Sequence, residues 1–162
     1  MTVAEPTGLL RQTYTLTDAE GTGEPFGELA LRLFRGGRLT VGDADYDVAA
    51  VGLLQTAHEL TLGAAHVAAS CRPSLFRRAI TVTFAAEAVG TDADLTVSLT
   101  PEGWFGRRWT VAADGVEVGR ADWTGHIRSR LALDVPDALP LVVRAFLVAV
   151  LAIQRRTERN SG

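Results

Sequence analysis

The chain has 162 residues, of which 47% are hydrophobic and 22% are charged. These values are typical of one folded domain with a sizeable core, and they exclude a disordered or fibrous chain. The formal net charge is −3, which argues against nucleic acid as the main partner because phosphate binding requires a basic surface. All 16 basic residues are arginine, and we attribute the missing lysine to a high-GC bacterial coding sequence.

The N-terminal segment has no basic stretch followed by an apolar one, so no signal peptide is predicted and a cytoplasmic location is expected. We expect a single domain over residues 9–157. Residues 1–8 and 158–162 are expected to be flexible termini.

Apolar and polar residues alternate through most of the domain, which is the pattern of half-buried β-strands. The clearest examples are residues 29–33, 80–84, 95–99 and 127–133. The predicted strands lie near 9–16, 26–34, 38–41, 45–51, 53–62, 65–71, 76–86, 94–100, 104–112, 116–123 and 126–133.

Turn signals separate these strands at short intervals. Gly36-Gly37 and Asp114-Gly115 each predict a two-residue hairpin, because both central positions of such a turn take positive φ. A series of short strands joined by hairpins favours an antiparallel barrel or sandwich over alternating strands and helices.

Cys71 is the only cysteine, so no internal disulfide is possible. It alternates with Ala65, Val67 and Ala69, which predicts a buried structural thiol on the apolar face of a strand.

No group of residues predicts a reaction or a metal site. His58, His66 and His126 fall on three different predicted strands and lack the close spacing of metal ligands. The aspartates at 43, 45 and 47 lack the central glycine and the distal glutamate of a calcium loop, so a solvated acidic turn is expected. We therefore predict no catalytic residue, no metal and no cofactor, and favour a non-enzymatic protein.

The C-terminal segment predicts a helix near residues 137–157. Leu141–Ile153 is apolar on every side except at Arg144, and a helix of this kind must be buried all round. Asp137 is the predicted N-cap, and Arg155 and Arg156 suit a helix C-terminus. The apolar run is much shorter than the roughly 20 residues that a bilayer requires. A core helix is thus favoured, with a membrane tail anchor as the alternative.

One helix surrounded by strands requires a closed barrel, here of about 11–12 short strands. Three segments carry a family resemblance: Gln12–Asp18, Phe76–Val82, and Asp137–Leu141 running into the apolar helix. On these segments the chain resembles the LURP-one-related and phospholipid scramblase-like proteins, whose tubby C-terminal-like fold is a β-barrel around a central hydrophobic helix. The acidic calcium loop of the scramblases is missing, so the resemblance does not imply calcium-driven lipid scrambling.

Two arginine pairs with neighbouring aromatic residues are the candidate surface for a lipid headgroup or partner: Arg77, Arg78, Arg107 and Arg108. We expect a tubby-like barrel, peripheral to the membrane, that binds anionic phospholipid or a protein partner through its outer surface. The alternative is a helix-grip or calycin-type barrel that binds a small apolar ligand. The sequence predicts no nucleic-acid partner and gives no indication of oligomeric state.

Overall fold

A computed structural model describes residues 1–7, 13–18, 23–32, 36–52, 56–72, 78–103, 106–125 and 129–160. Within these residues twelve strands form one closed antiparallel barrel. The strands are β1 (Thr2–Thr7), β2 (Thr13–Asp18), β3 (Pro25–Leu31), β4 (Gly36–Val41), β5 (Ala44–Val51), β6 (Ala57–Leu62), β7 (Ala65–Cys71), β8 (Ile80–Phe84), β9 (Leu95–Glu102), β10 (Arg108–Ala113), β11 (Val116–Thr124) and β12 (Arg130–Asp134). The helices are α1 (Ala86–Val89) and α2 (Leu141–Asn160).

Each strand pairs with its neighbours in sequence, and β1 closes the barrel by pairing with both β2 and β12. Residues 1–8, expected to be a flexible terminus, therefore contain a strand of the barrel wall. The segment escapes sequence analysis because Thr2, Val3 and Ala4 are all buried and do not alternate. Pro6 also weakens the strand signal, since proline cannot donate to a sheet.

The prediction of a closed barrel around a hydrophobic C-terminal helix is confirmed. Every strand contributes at least one buried apolar side chain to a single core, and residues Val143–Ala152 of α2 are at most 5% exposed. A barrel of eight strands has an interior that side chains alone can fill. Twelve strands enclose a wider space, and the helix, about 10 Å across, fills it.

The two predicted glycine turns differ in outcome. Asp114-Gly115 joins β10 to β11 with φ of 47° and 83°, as a two-residue hairpin requires. Gly36-Gly37, in contrast, lies inside β4. A Cβ atom at either glycine would collide with a backbone carbonyl, that of Val48 for Gly36 and that of Ala30 for Gly37. The glycines therefore allow close strand approach rather than a turn.

The prediction that Cys71 is buried is wrong, because its side chain is exposed. The pairing of β6 with β7 shifts between Leu60 and Thr61, which leaves Val67 as an extra residue in a β-bulge. Val67 and Ala68 are consequently both buried. Beyond the bulge the alternation is reversed, so Ser70 points inward and Cys71 outward.

Helix α2 begins at Leu141, four residues after the expected N-cap. The Arg144 amide donates to the Pro140 carbonyl in the first turn. Asp137 instead lies 3.2 Å from the Arg144 guanidinium, through Oδ1 and Nη1. Its carboxylate therefore neutralises the charge within the apolar helix and does not cap the backbone.

Candidate functional site

The up-and-down order of the strands gives the barrel two ends of different composition. At one end β1 and α2 begin, and at the other end they finish. Every second junction between strands lies at the same end, because successive strands run in opposite directions. Charges of one sign therefore collect at one end when they recur at alternate junctions.

The end where α2 begins is acidic, and we call it the acidic end. Arg144 at this end is buried, and Arg38 and Arg120 of the barrel wall lie beside Asp45 and Asp134. The described acidic residues there are Asp18, Glu24, Asp43, Asp45, Glu87, Asp92, Asp94, Asp114, Glu117, Asp134 and Asp137.

The end where α2 finishes is rich in arginine, and we call it the basic end. Its described arginines stand at strand junctions or in the last turns of the helix: Arg32, Arg72, Arg78, Arg107, Arg108, Arg130, Arg155, Arg156 and Arg159. The described acidic residues among or beside them are Glu5, Asp47, Glu59, Glu102, Asp122 and Glu158. Positive charge thus exceeds negative charge at this end.

Of the four arginines predicted from sequence, the three that the structure describes lie at or beside the basic end. Arg78 and Arg107 lie at the rim of the basic end, just before β8 and β10. Arg108 points outward from the wall, where its Nε lies 3.2 Å from Asp122 Oδ1. Arg77 lies outside the described residues.

Sequence analysis missed the contribution of helix α2 to this end. Arg78 Nη2 donates to Glu158 Oε1 at 2.8 Å, and Gln154 Nε2 donates to the same oxygen at 3.1 Å. Arg159 donates to the hydroxyl of Ser129 at 2.7 Å. The end of the helix is thereby tied to the rim of the barrel.

Arg155 occupies the centre of this arrangement. Its guanidinium carbon lies 5.7 Å from the ring centroid of Trp123, a cation–π geometry. Its Nε is buried and has no hydrogen-bond partner among the described residues. Burial, followed by the neighbouring charges of Arg159 and Arg107, lowers the pKa of the Arg155 guanidinium. Arginine stays protonated in proteins. The Arg155 guanidinium is therefore a positive charge with other positive charges close to it.

The position of Arg107 follows from the preceding turn. The buried indole Nε1 of Trp109 donates to the Gly106 carbonyl at 3.0 Å. Gly106 has a φ of 55° and lies against Glu158 and Arg78, since a Cβ atom there would be 3.5 Å from Glu158 Oε2. Gly106 therefore packs directly on the Arg78–Glu158 ion pair.

The histidines do not assemble a reactive site in the described part of the chain. His58 and Ser70 face each other across β6 and β7, with 3.5 Å between His58 Nδ1 and Ser70 Oγ. Burial lowers the pKa of His58. Ser70 is only 1% exposed, so a substrate cannot reach its hydroxyl. His66 is exposed, and His126 lies outside the described residues.

The aspartates of β5 form ordinary surface contacts. Asp45 accepts a hydrogen bond from the Thr40 hydroxyl at 2.7 Å, and Asp47 lies 3.4 Å from Arg32. Over the described ranges, no group of three or more histidine, cysteine or acidic side chains could hold a metal ion.

A sequence signal for the basic end exists, but it depends on knowing the topology. Arg32, Arg72, Arg107 and Arg130 stand at or beside four alternate junctions of an up-and-down barrel, whereas the sequence between β5 and β6 has no arginine.

Comparisons of the chain with protein-family models, curated proteins and solved structures found no match. None of the helices in the described ranges is long and apolar enough to span a bilayer. The fold and the site define a closed antiparallel barrel, filled by its C-terminal helix, with one basic and one acidic end.

Proposed function

We propose that this protein is a non-enzymatic barrel that binds the surface of anionic phospholipid membranes with its basic end. The observation that carries the proposal is the separation of charge between the two ends. Each arginine near an anionic membrane surface contributes about 1 kcal/mol. The excess of arginines at the basic end therefore supports reversible binding.

The acidic end supports a single orientation on the membrane. Its carboxylates are repelled by anionic lipid, while the arginines at the opposite end are attracted. Since the strands run between the two ends, the barrel would stand with its axis towards the bilayer.

Composition favours lipid over a purely polar partner. Four segments that lie in sequence between β1 and β2, β3 and β4, β7 and β8, and β9 and β10 contain large apolar residues close to an arginine: Leu9-Leu10-Arg11, Leu33-Phe34-Arg35, Leu75-Phe76-Arg77 and Trp104-Phe105. These residues lie outside the part of the chain that the structure describes, and they count here only by their composition. Aromatic residues and arginine are together enriched at membrane interfaces.

The packing of α2 argues against the alternative of a helix-grip or calycin-type barrel. That fold needs a cavity between the helix and the sheet, whereas the helix residues from Ala145 to Ala152 are at most 2% exposed. Membership of the LURP-one-related and scramblase-like group stays a prediction, and a barrel around a helix is the architecture that it implies.

The test is co-flotation with phosphatidylcholine vesicles that contain or lack phosphatidylglycerol. We expect binding only to the anionic vesicles, and weaker binding as salt is raised. The triple variant R107Q/R156Q/R159Q should bind about 100-fold more weakly, from about 1 kcal/mol for each arginine.

The matched control is R38Q/R120Q, which removes two exposed arginines from the barrel wall between the ends. It removes two positive charges where the triple variant removes three, and it should bind nearly as well as the native chain. Equal loss in both variants would show non-directional attraction and contradict docking by the basic end.

A further inference from the structure

One group of charges at the basic end is more than a diffuse surface. Arg78 Nη2 lies 2.8 Å from Glu158 Oε1, and Arg155 interacts electrostatically with Glu158. Arg107 and Arg159 are further charged neighbours of Arg155. We call these five residues the Glu158 cluster. The cluster contains four positively charged arginines and one negatively charged glutamate. The helix C-terminus adds only about half a negative charge, so the cluster has an excess of about 2.5 positive charges.

The cluster also has an unused hydrogen-bond donor. The Nε of Arg155 is buried and has no partner among the described residues. A buried donor without a hydrogen-bond partner is costly, and each such group calls for an explanation. The Arg155 side chain as a whole is partly exposed, so an anion can approach its guanidinium and neutralise the surrounding arginines.

The excess of charge matches one kind of anion well. A phosphate monoester carries about −1.5 to −2 charges at neutral pH, with three acceptor oxygens. The planar fork of arginine bonds phosphate oxygens in pairs. A carboxylate such as that of Glu158 brings a single charge and two oxygens, and it leaves most of the excess uncompensated.

We infer that the Glu158 cluster is a binding site for a phosphate monoester, in which Glu158 is the internal anion that holds the arginines in place. The ligand is either a free phosphate or the headgroup of a lipid. For the lipid form, the inference rests on the proposed membrane binding. Glu158 repels the incoming phosphate, so it lowers the affinity while it keeps the site assembled.

The experiment is a titration at low salt with inorganic phosphate and with dioctanoyl phosphatidic acid, a soluble lipid with a monoester headgroup. Dioctanoyl phosphatidylcholine, a zwitterionic phosphodiester, is the control ligand. Binding is followed by calorimetry and by the NMR signal of the arginine Nε groups. Binding of both monoesters indicates a general phosphate site, and binding of phosphatidic acid alone indicates a lipid site; both support the inference.

Three variants test the residues. R155Q should weaken phosphatidic acid binding at least about tenfold, and E158Q should strengthen it several-fold because it removes a like charge. R38Q, on the barrel wall, should leave it unchanged. Thermal unfolding of each variant establishes that it folds; should R155Q not fold, R159Q and E158Q carry the test.

The outcomes separate this inference from the membrane proposal. If the native chain does not bind vesicles but binds a soluble monoester, and R155Q weakens that binding, the membrane proposal is contradicted and the phosphate site is supported. If vesicles bind while R155Q and E158Q behave like the native chain towards monoesters, the site is refuted and the membrane proposal stands.

Discussion

Phe84 of strand β8 and Phe146 of helix α2 pack edge to face, with ring centroids 5.9 Å apart and an angle of 87° between the planes. Both side chains are fully buried. The contact joins the wall of the barrel directly to the helix inside it. The folding of the strands and the burial of the helix are therefore coupled through the core.

Replacing Phe146 by alanine should lower the free energy of unfolding by about 3–5 kcal/mol, because a large cavity opens between helix and wall. Urea denaturation measures the change. V116A is the matched control, since Val116 is 67% exposed and its truncation should change stability by less than about 0.5 kcal/mol. A loss below about 1 kcal/mol for F146A would mean that the helix does not pack inside the barrel.

Arg144 is a charge buried within the apolar helix. Its side chain is 6% exposed, with Nη1 lying 3.2 Å from Asp137 Oδ1 and 3.7 Å from Asp18 Oδ2. Its Nε has no partner among the described residues. The carboxylates are partly solvated, so they would not be left as buried charges if the arginine were removed.

We therefore expect Arg144→Met to change the free energy of unfolding by no more than about 1 kcal/mol, because relief of desolvation offsets the lost ion pairs. Arg144→Ala, which also leaves a void, should lower it by about 2–4 kcal/mol. Chemical denaturation of both variants distinguishes packing from charge. A loss of more than about 3 kcal/mol in the methionine variant would show that the ion pairs dominate.

Gly119 in β11 is required by close backbone approach and not by its φ. A Cβ atom there would collide with the carbonyl oxygen of Asp134 on β12. Gly119→Ala should therefore separate two wall strands and lower stability by about 3 kcal/mol or more.

The control for this substitution is Gly42→Ala. Gly42 has a φ of 56° and open space around it, so only backbone strain of about 1 kcal/mol is added. Thermal unfolding of the two variants should show a much larger shift for Gly119. Equal shifts would contradict the collision with β12.

Much of the fold could be predicted because the apolar residues alternate regularly. Val97 and Leu99, and likewise Leu131 and Leu133, point inward as expected. The errors occurred where the chain departs from regular alternation. The bulge at Val67 turned Cys71 outward, and Gly36-Gly37 accommodates neighbouring strands rather than a turn.

The site was harder to predict because contacts between distant residues assemble it. Arg78 and Glu158 are 80 residues apart in sequence, and no local pattern links them. The arginines of α2 are already explained by the preference for positive charge at a helix C-terminus. The sequence therefore gives no reason to expect that they also contact the rim of the barrel. The antiparallel pairing of successive strands shows which strand junctions share an end.

The buried histidine makes stability depend on pH. Burial lowers the folded-state pKa of His58 below its ordinary value of 6.5. Between these two pKa values the unfolded chain binds more protons than the folded one, so stability falls as the pH is lowered from about 6.5. The loss proceeds at up to about 1.4 kcal/mol per pH unit and stops contributing below the folded-state pKa.

Urea denaturation over a series of pH values measures this slope. His58→Gln should remove the part of the acid-induced loss of stability that His58 causes. His66→Gln is the control, because it also removes one histidine but at an exposed position. The midpoint of the native chain should then fall more steeply than that of H58Q as the pH drops below about 6.5. Parallel curves for the two proteins would show that His58 takes up its proton as readily inside the barrel as in the unfolded chain.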